Sequence, residues 1–227
     1  MAFETLDQLF RWDHTDHGRM RLWFDELLQQ GYYCGHHLIG RDTKIDKGVY
    51  IGQTSREAIV VDFTSSVFLS ELFEEAKERC ELIRQCRHPP FLETVYHLVR
   101  ERMRYDEEQT MKIITQENAK MDGLISLDRF IEAGVGVCRH QALFAGILME
   151  KATEEFIVPG RVSVDRNSIG YLAHAWDRFT FPSAKTYILN LSPPGYIGTL
   201  EDSMKEARGW YFLRPEDEKR LGVRYEG

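Results

Sequence analysis

The sequence is short of positive charge, of long apolar runs, of cysteine and of proline. Its 36 Asp and Glu outnumber 29 Lys and Arg, giving a net charge of −7. That balance lacks the positive field that a phosphate backbone or an anionic membrane surface requires, so nucleic acid is not expected as a partner. No stretch approaches the roughly 18 consecutive apolar residues of a membrane span. The start, Met1-Ala2-Phe3-Glu4-Thr5, has neither the basic beginning nor the apolar core of a secretory signal, so the expected location is cytoplasmic and away from membranes. The four cysteines, Cys34, Cys80, Cys86 and Cys138, are too few and too irregular for a disulfide framework and read as free thiols. Cys80 and Cys86 lie on different faces of one expected helix, which defeats a shared metal. With seven prolines, no repeat and no Pro/Gly/Ser-rich stretch, nothing marks a linker.

What is present is the composition of a globular chain: 43% hydrophobic and 29% charged over 227 residues. Apolar residues at helical spacing predict short amphipathic helices over Phe3–Phe10 and Gly18–Gln30. Between these, Asp13-His14-Thr15-Asp16-His17 offers two histidines but no further ligand set, and Asp16 serves as well as a helix cap, so no metal is expected. Tyr32–Ile39, Gly48–Gln53 and Ala58–Phe63 are short, β-branched or aromatic, and read as strands. From Ser70 a helical stripe runs to Ile83 and is stopped by Pro89-Pro90, and a second runs on to Arg104-Tyr105-Asp106. Ser126 can cap a third helix ending at Gly134, and Cys138 opens a fourth, apolar one running to about Lys151. The remainder is strand-like: Arg161–Val164, Tyr171–Phe181 and Tyr187–Leu191 suit an antiparallel sheet. The expectation is an α+β fold, with residues 1–70 packed as helices and short strands on a core of residues 71–227, the two forming one compact unit.

The chemistry concentrates in Gly134-Val135-Gly136-Val137-Cys138-Arg139-His140-Gln141-Ala142. Glycines allow close backbone approach, and a cysteine at a helix start meets free N–H groups that can stabilise a thiolate and receive an oxyanion. Downstream, Leu172-Ala173-His174-Ala175-Trp176 places His174 on a strand as the candidate general base. In Tyr187-Ile188-Leu189-Asn190-Leu191 an amide interrupts an apolar strand, where Asn190 can orient the imidazole. If the hairpin loop is Pro182-Ser183-Ala184, Phe181 pairs with Lys185 and Trp176 lies opposite Asn190, so Asn190 shares a face with His174. Asp177 and Asp165 are rivals for this third position. Trp176 is a candidate for the substrate wall. Arg139 and His140 read as structural partners of the N-terminal helices, and the second Cys-Arg-His, at Cys86, sits at a helix end and reads as non-functional.

The order Gly-Val-Gly-Val-Cys-Arg-His-Gln-Ala, His-Ala-Trp, then a polar residue in an apolar strand, over about Phe91 to Pro194, resembles the transglutaminase-like superfamily of papain-fold thiol enzymes. The resemblance implies a nucleophile helix packed on an antiparallel sheet, Cys138 as nucleophile, His174 as base, and acyl transfer or hydrolysis at a protein or peptide amide without a cofactor. One departure stands out: transglutaminase relatives usually carry aspartate where this chain has Asn190, whereas papain-like enzymes carry asparagine. Protease, deamidase and transglutaminase outcomes stay open, as does a protein-binding module that keeps the fold without turnover. The oligomeric state is not legible.

Overall fold

A computed structural model of the chain describes residues 22–25, 30–51, 57–83, 85–118, 123–169, 172–205, 211 and 214–222. The expected helix over Phe3–Phe10 and the cluster at Asp13–His17 lie outside them. β1 (Leu22–Asp25) pairs antiparallel with β2 (Gln30–Tyr33), with Trp23 opposite Tyr32. A strand thus stands inside the expected Gly18–Gln30 helix. So short an apolar run satisfies either period, and a β-forming partner a few residues away decides the outcome. The single strand expected over Tyr32–Ile39 is instead a hairpin. Cys34 and Gly35 take φ of 49° and 85°, the positive values of a two-residue turn, between β2 and β3 (His36–Leu38). β4 (Gly48–Ile51) runs parallel to β3 and antiparallel to β5 (Ala58–Val61).

Ser66 caps α1 (Val67–Leu82) by accepting from the Leu69 N–H, and Pro90 opens α2 (Pro90–Arg102) at the position where its missing N–H costs nothing. That helix ends earlier than expected, because residues 104–105 form a short strand, β6 (Arg104–Tyr105). Next comes α3 (Glu107–Asn118), which the sequence reading did not anticipate, started by the Asp106 carboxylate accepting from the Gln109 N–H. β7 (Leu124–Ser126) joins β5 in parallel as the sixth strand of the first sheet, so residues 1–70 and 71–227 share one sheet. α4 (Leu127–Ala133) is capped by Ser126 and ended by Gly134 at φ 65°, both as the sequence indicates. β8 (Val135–Gly136) pairs with β6, and α5 (Cys138–Glu154) follows.

The second sheet is wholly antiparallel. β9 (Arg161–Ile169) and β11 (Thr186–Asn190) flank β10 (Leu172–Thr180), and β12 (Tyr196–Thr199) lies outside β11. Phe181 and Lys185 close the Pro182–Ala184 loop, the Phe181 N–H donating to the Lys185 carbonyl at 2.9 Å, which gives the three-residue register. Two short helices, α6 (Leu200–Lys205) and α7 (Pro215–Leu221), occupy a region read as strand.

The sheet lies between two layers. On one face Ala175, Phe179, Tyr187, Leu189 and Leu191 pack into the main core with α5. There α5 comes close: a Cβ added to Gly146 would sit 2.8 Å from Ile45 Cδ1 and 3.0 Å from Asp177 Oδ1. The other face carries a smaller cluster of Trp176, Ile188, Tyr196, Leu200 and Tyr211. Polar anchors from the C-terminal segment hold it. Asp217 takes a two-pronged bond from Arg178, and buried Arg214 donates to Asp165 at 2.9 Å, to Ser163 at 2.8 Å and to Asp42 at 3.0 Å. No helix among the described residues is long and apolar enough to cross a membrane.

Candidate active site

Three local features place Cys138. Gly134 turns the chain out of α4, the β6–β8 pair fixes Val135 and Gly136 against Arg104 and Tyr105, and extended Val137 (φ −111°) starts α5 with Cys138 as its first residue. Valine has no side-chain cap to offer. His140 supplies one, its Nδ1 accepting from the Val137 N–H at 3.2 Å. An Nδ1 that accepts leaves the proton on Nε2, which lies 2.6 Å from Glu57 Oε1, close but off the line of an ideal hydrogen bond. Arg139 Nε donates to the other oxygen of Glu57 at 2.6 Å. Both Glu57 and His140 are fully buried. Burial pushes the Glu57 pKa up, but His140 and Arg139 outweigh it and hold it below the usual carboxylate value; burial lowers that of His140. Arg139 and His140 are therefore structural, as the sequence suggests, but the partner is Glu57 at the head of β5.

Cys138 is half-buried against the core and reaches the edge of β10, where the backbone N–H of Ala175 faces its sulfur. Burial raises its pKa. The Ala175 N–H, the Arg139 charge and the Arg139 N–H pull the other way without winning. The helix start favours the anion, as the sequence suggests, but desolvation outweighs it, and the sulfur rests as a thiol.

His174 stands one residue before Ala175, and its Nε2 lies 3.0 Å from Asn190 Oδ1. Burial lowers its pKa, against the opposing effect of Asn190, so the imidazole is neutral at pH 7. Its tautomer follows from a chain of fixed polarities. The Met103 carbonyl can only accept, so the Gln141 amide presents Nε2 to it, at 2.9 Å. Gln141 Oε1 then accepts from Ser192 Oγ at 3.0 Å, while the Ser192 N–H donates to Asn190 at 3.2 Å, which must present its oxygen. That same oxygen faces His174, so Nε2 carries the proton and Nδ1 is the basic nitrogen. The far end of the amide, Nδ2, donates to the Tyr211 hydroxyl at 2.9 Å.

Neither rival for the third position stands beside the Nε2 of His174, which Asn190 occupies. Asp165 accepts from Arg214 and Ser163, and Asp177 lies on the α5 face beside Gly146. Trp176 also calls for correction as a substrate contact. Its side chain is fully buried and stacks behind His174, with ring centroids 6.0 Å apart, so it backs the imidazole and offers no surface to a ligand. Around the thiol stand Tyr105, opposite Gly136 and donating to Glu107 at 2.9 Å, and Tyr50, with Arg166 over its ring at 5.6 Å. Burial raises both phenols, and the sulfur of Cys138, once ionised, would raise each further. Gln141, Ser192, Tyr211 and Glu57 escaped the sequence reading. Gln141 had a signal, as a buried amide in an otherwise apolar helix, but the others are identified only by their tertiary partners. Among the described residues no group of three His, Cys, Asp or Glu could hold a metal ion.

Comparison with known proteins adds little. No family model matches the chain, and no curated protein is similar to it in sequence. Among solved structures, one described as "Crystal structure of a TGase" is similar over 56% of this chain at 14% identity, with a TM-score of 0.39. This chain spans about a third of that one, 32% of its length.

Proposed function

We propose that the chain is a cysteine-dependent acyltransferase or hydrolase of transglutaminase-like type, acting on a protein or peptide amide through a thioester and needing no cofactor. One observation carries the reading: His174 Nε2 bonded to Asn190 Oδ1 at 3.0 Å, on the strand whose next N–H meets the Cys138 sulfur. A histidine held in its Nε2–H form, one residue before the N–H that meets a neutral thiol, is suited to take that thiol's proton. As Sγ attacks the amide carbon, the thiol proton passes to His174 Nδ1 and the carbonyl oxygen gains charge. The Cys138 N–H at the start of α5 is the natural donor to that charge. His174 then protonates the leaving nitrogen, which departs as ammonia or an amine and leaves a thioester on Cys138. Water or a second amine resolves it, with His174 acting again as base.

Asn190 orients the ring but, being neutral, gives the imidazolium no charge support, so turnover is modest beside that of an aspartate-bearing enzyme. That neutrality, with the raised thiol, favours as second reading a binding module that has lost turnover. Incubation with a glutamine-rich protein and a fluorescent amine separates the outcomes. Amine incorporation indicates a transglutaminase, ammonia release alone a deamidase, and chain cleavage a protease, each abolished by Cys138→Ala. Activity that survives Cys138→Ala rejects the mechanism, and none of the three in the wild type leaves the binding module.

A further inference from the structure

The C-terminal segment lies outside the part of the sequence that resembles thiol enzymes, yet it delivers one atom to the site. Tyr211 is fully buried between Trp176 and Tyr196, with ring centroids at 5.2 Å and 5.9 Å. Its hydroxyl oxygen accepts from Asn190 Nδ2 at 2.9 Å. The amide is thereby held at both ends, by the Ser192 N–H on its oxygen and by Tyr211 on its nitrogen. Rotation about the Cβ–Cγ bond would put Nδ2 against the Ser192 N–H, donor to donor, and would present a donor to His174 Nε2. The imidazole would then have to move its proton to Nδ1, the nitrogen that must receive the thiol proton.

We propose that Tyr211 is a positioning residue for the cysteine–histidine pair: by bonding Asn190 Nδ2 it locks in place the amide whose orientation the Ser192 N–H sets, and so steadies His174 in its Nε2–H form. The inference rests on the reading of Cys138 and His174 as nucleophile and base. It also makes the C-terminal segment part of the machinery. Arg214 against Asp165 and Asp217 against Arg178 tie down the backbone on either side of the α7 start, and so the segment that carries Tyr211.

The test uses the full chain and reads the His174 tautomer directly, by long-range nitrogen–proton correlation in the imidazole ring above its pKa. Wild type is expected to show a single Nε2–H form. Tyr211→Phe removes one oxygen, and is expected to show both tautomers together with an acylation rate for Cys138 lower by roughly 2- to 12-fold, the range set by one net hydrogen bond. A merely structural tyrosine would lower the folded fraction and leave the tautomer alone. An unchanged single tautomer in Tyr211→Phe overturns the proposal. Should that variant fail to fold, the wild-type Asn190 side-chain amide gives the answer: slow hydrogen exchange supports the Tyr211 bond, and free exchange refutes it. His174→Ala separates this proposal from the reading beneath it. If acylation of Cys138 is unaffected by that change while the tautomer is Tyr211-dependent, the catalytic reading fails and the positioning contact stands.

Discussion

Asp177 offers a test in which one residue sets a slope. Its side chain is fully buried on the α5 face, and neither carboxylate oxygen has a hydrogen-bond partner among the described residues. Burial, with the charge of Asp165 added, raises its pKa well above the ordinary value. The unfolded chain gives up this proton near pH 4, whereas the folded chain keeps it until the raised pKa is passed. The contribution of Asp177 to stability is therefore greatest below about pH 4, and falls by about 1.4 kcal/mol per pH unit from there up to the folded pKa. Asp177→Asn has nearly the same shape and does not titrate, so subtracting the two proteins cancels every other ionisation. The experiment is urea or thermal unfolding of both at pH 5, 6 and 7. For a chain of this size, about 1 kcal/mol corresponds to roughly 2–4 °C, so the variant should gain about 3–6 °C in Tm relative to wild type with each unit of pH until the folded pKa is reached, and nothing further above it. Parallel stability curves would refute the buried neutral carboxyl.

Three further outcomes are expected. Phe156, just past the end of α5, has φ 60° with 92% of its surface exposed, so Phe156→Gly should relieve left-handed strain and add about 0.5–1 kcal/mol of stability, read as a higher urea midpoint; a fall would contradict this. Glu57→Ala leaves His140 and Arg139 facing a buried void and should cost about 3 kcal/mol or more in denaturant. Because the folded pKa of Glu57 is depressed, its stabilisation is present above the ordinary carboxylate value and lost as pH falls through the lowered one, so a penalty that stays constant into strong acid argues against the ion pair. The rate of thioester formation should rise through a His174 pKa below 6.5 and decline only above 9, leaving neutral pH on a plateau; a maximum near pH 5 would mean a resting thiolate.

The parts of the site set by local pattern were legible in the sequence. Loop length and apolar alternation are enough to register the Pro182–Ala184 hairpin, and from that register Asn190 falls beside His174. Ser126 and Gly134 bracket α4 with ordinary capping chemistry, which leaves Cys138 at the next helix start. What failed was ambiguous or long-range. Leu22–Asp25 is too short to distinguish helical from strand period without its partner. The helix α3 buries little beyond Thr110 and Ile114, so its apolar stripe is faint. Contacts of Gln141 with Met103 and Ser192, and of Arg139 with Glu57, cross 38, 51 and 82 residues, and no local pattern announces them. The charge state of Cys138 turned on desolvation, a property of the packed state that spacing along the chain does not carry.

The central claim is that Cys138 attacks a carbonyl with His174 as base, and an activated ester reads that step alone. With p-nitrophenyl acetate, the wild-type protein should release nitrophenolate in a burst matching the protein concentration and gain the mass of one acetyl group, mapped to the peptide containing Cys138. Cys138→Ala should abolish both, and His174→Ala should slow the burst by about 100-fold or more, the usual contribution of a general base. Acetyl mapped to Cys34, Cys80, Cys86 or a lysine, or a burst undiminished in His174→Ala, would contradict the account.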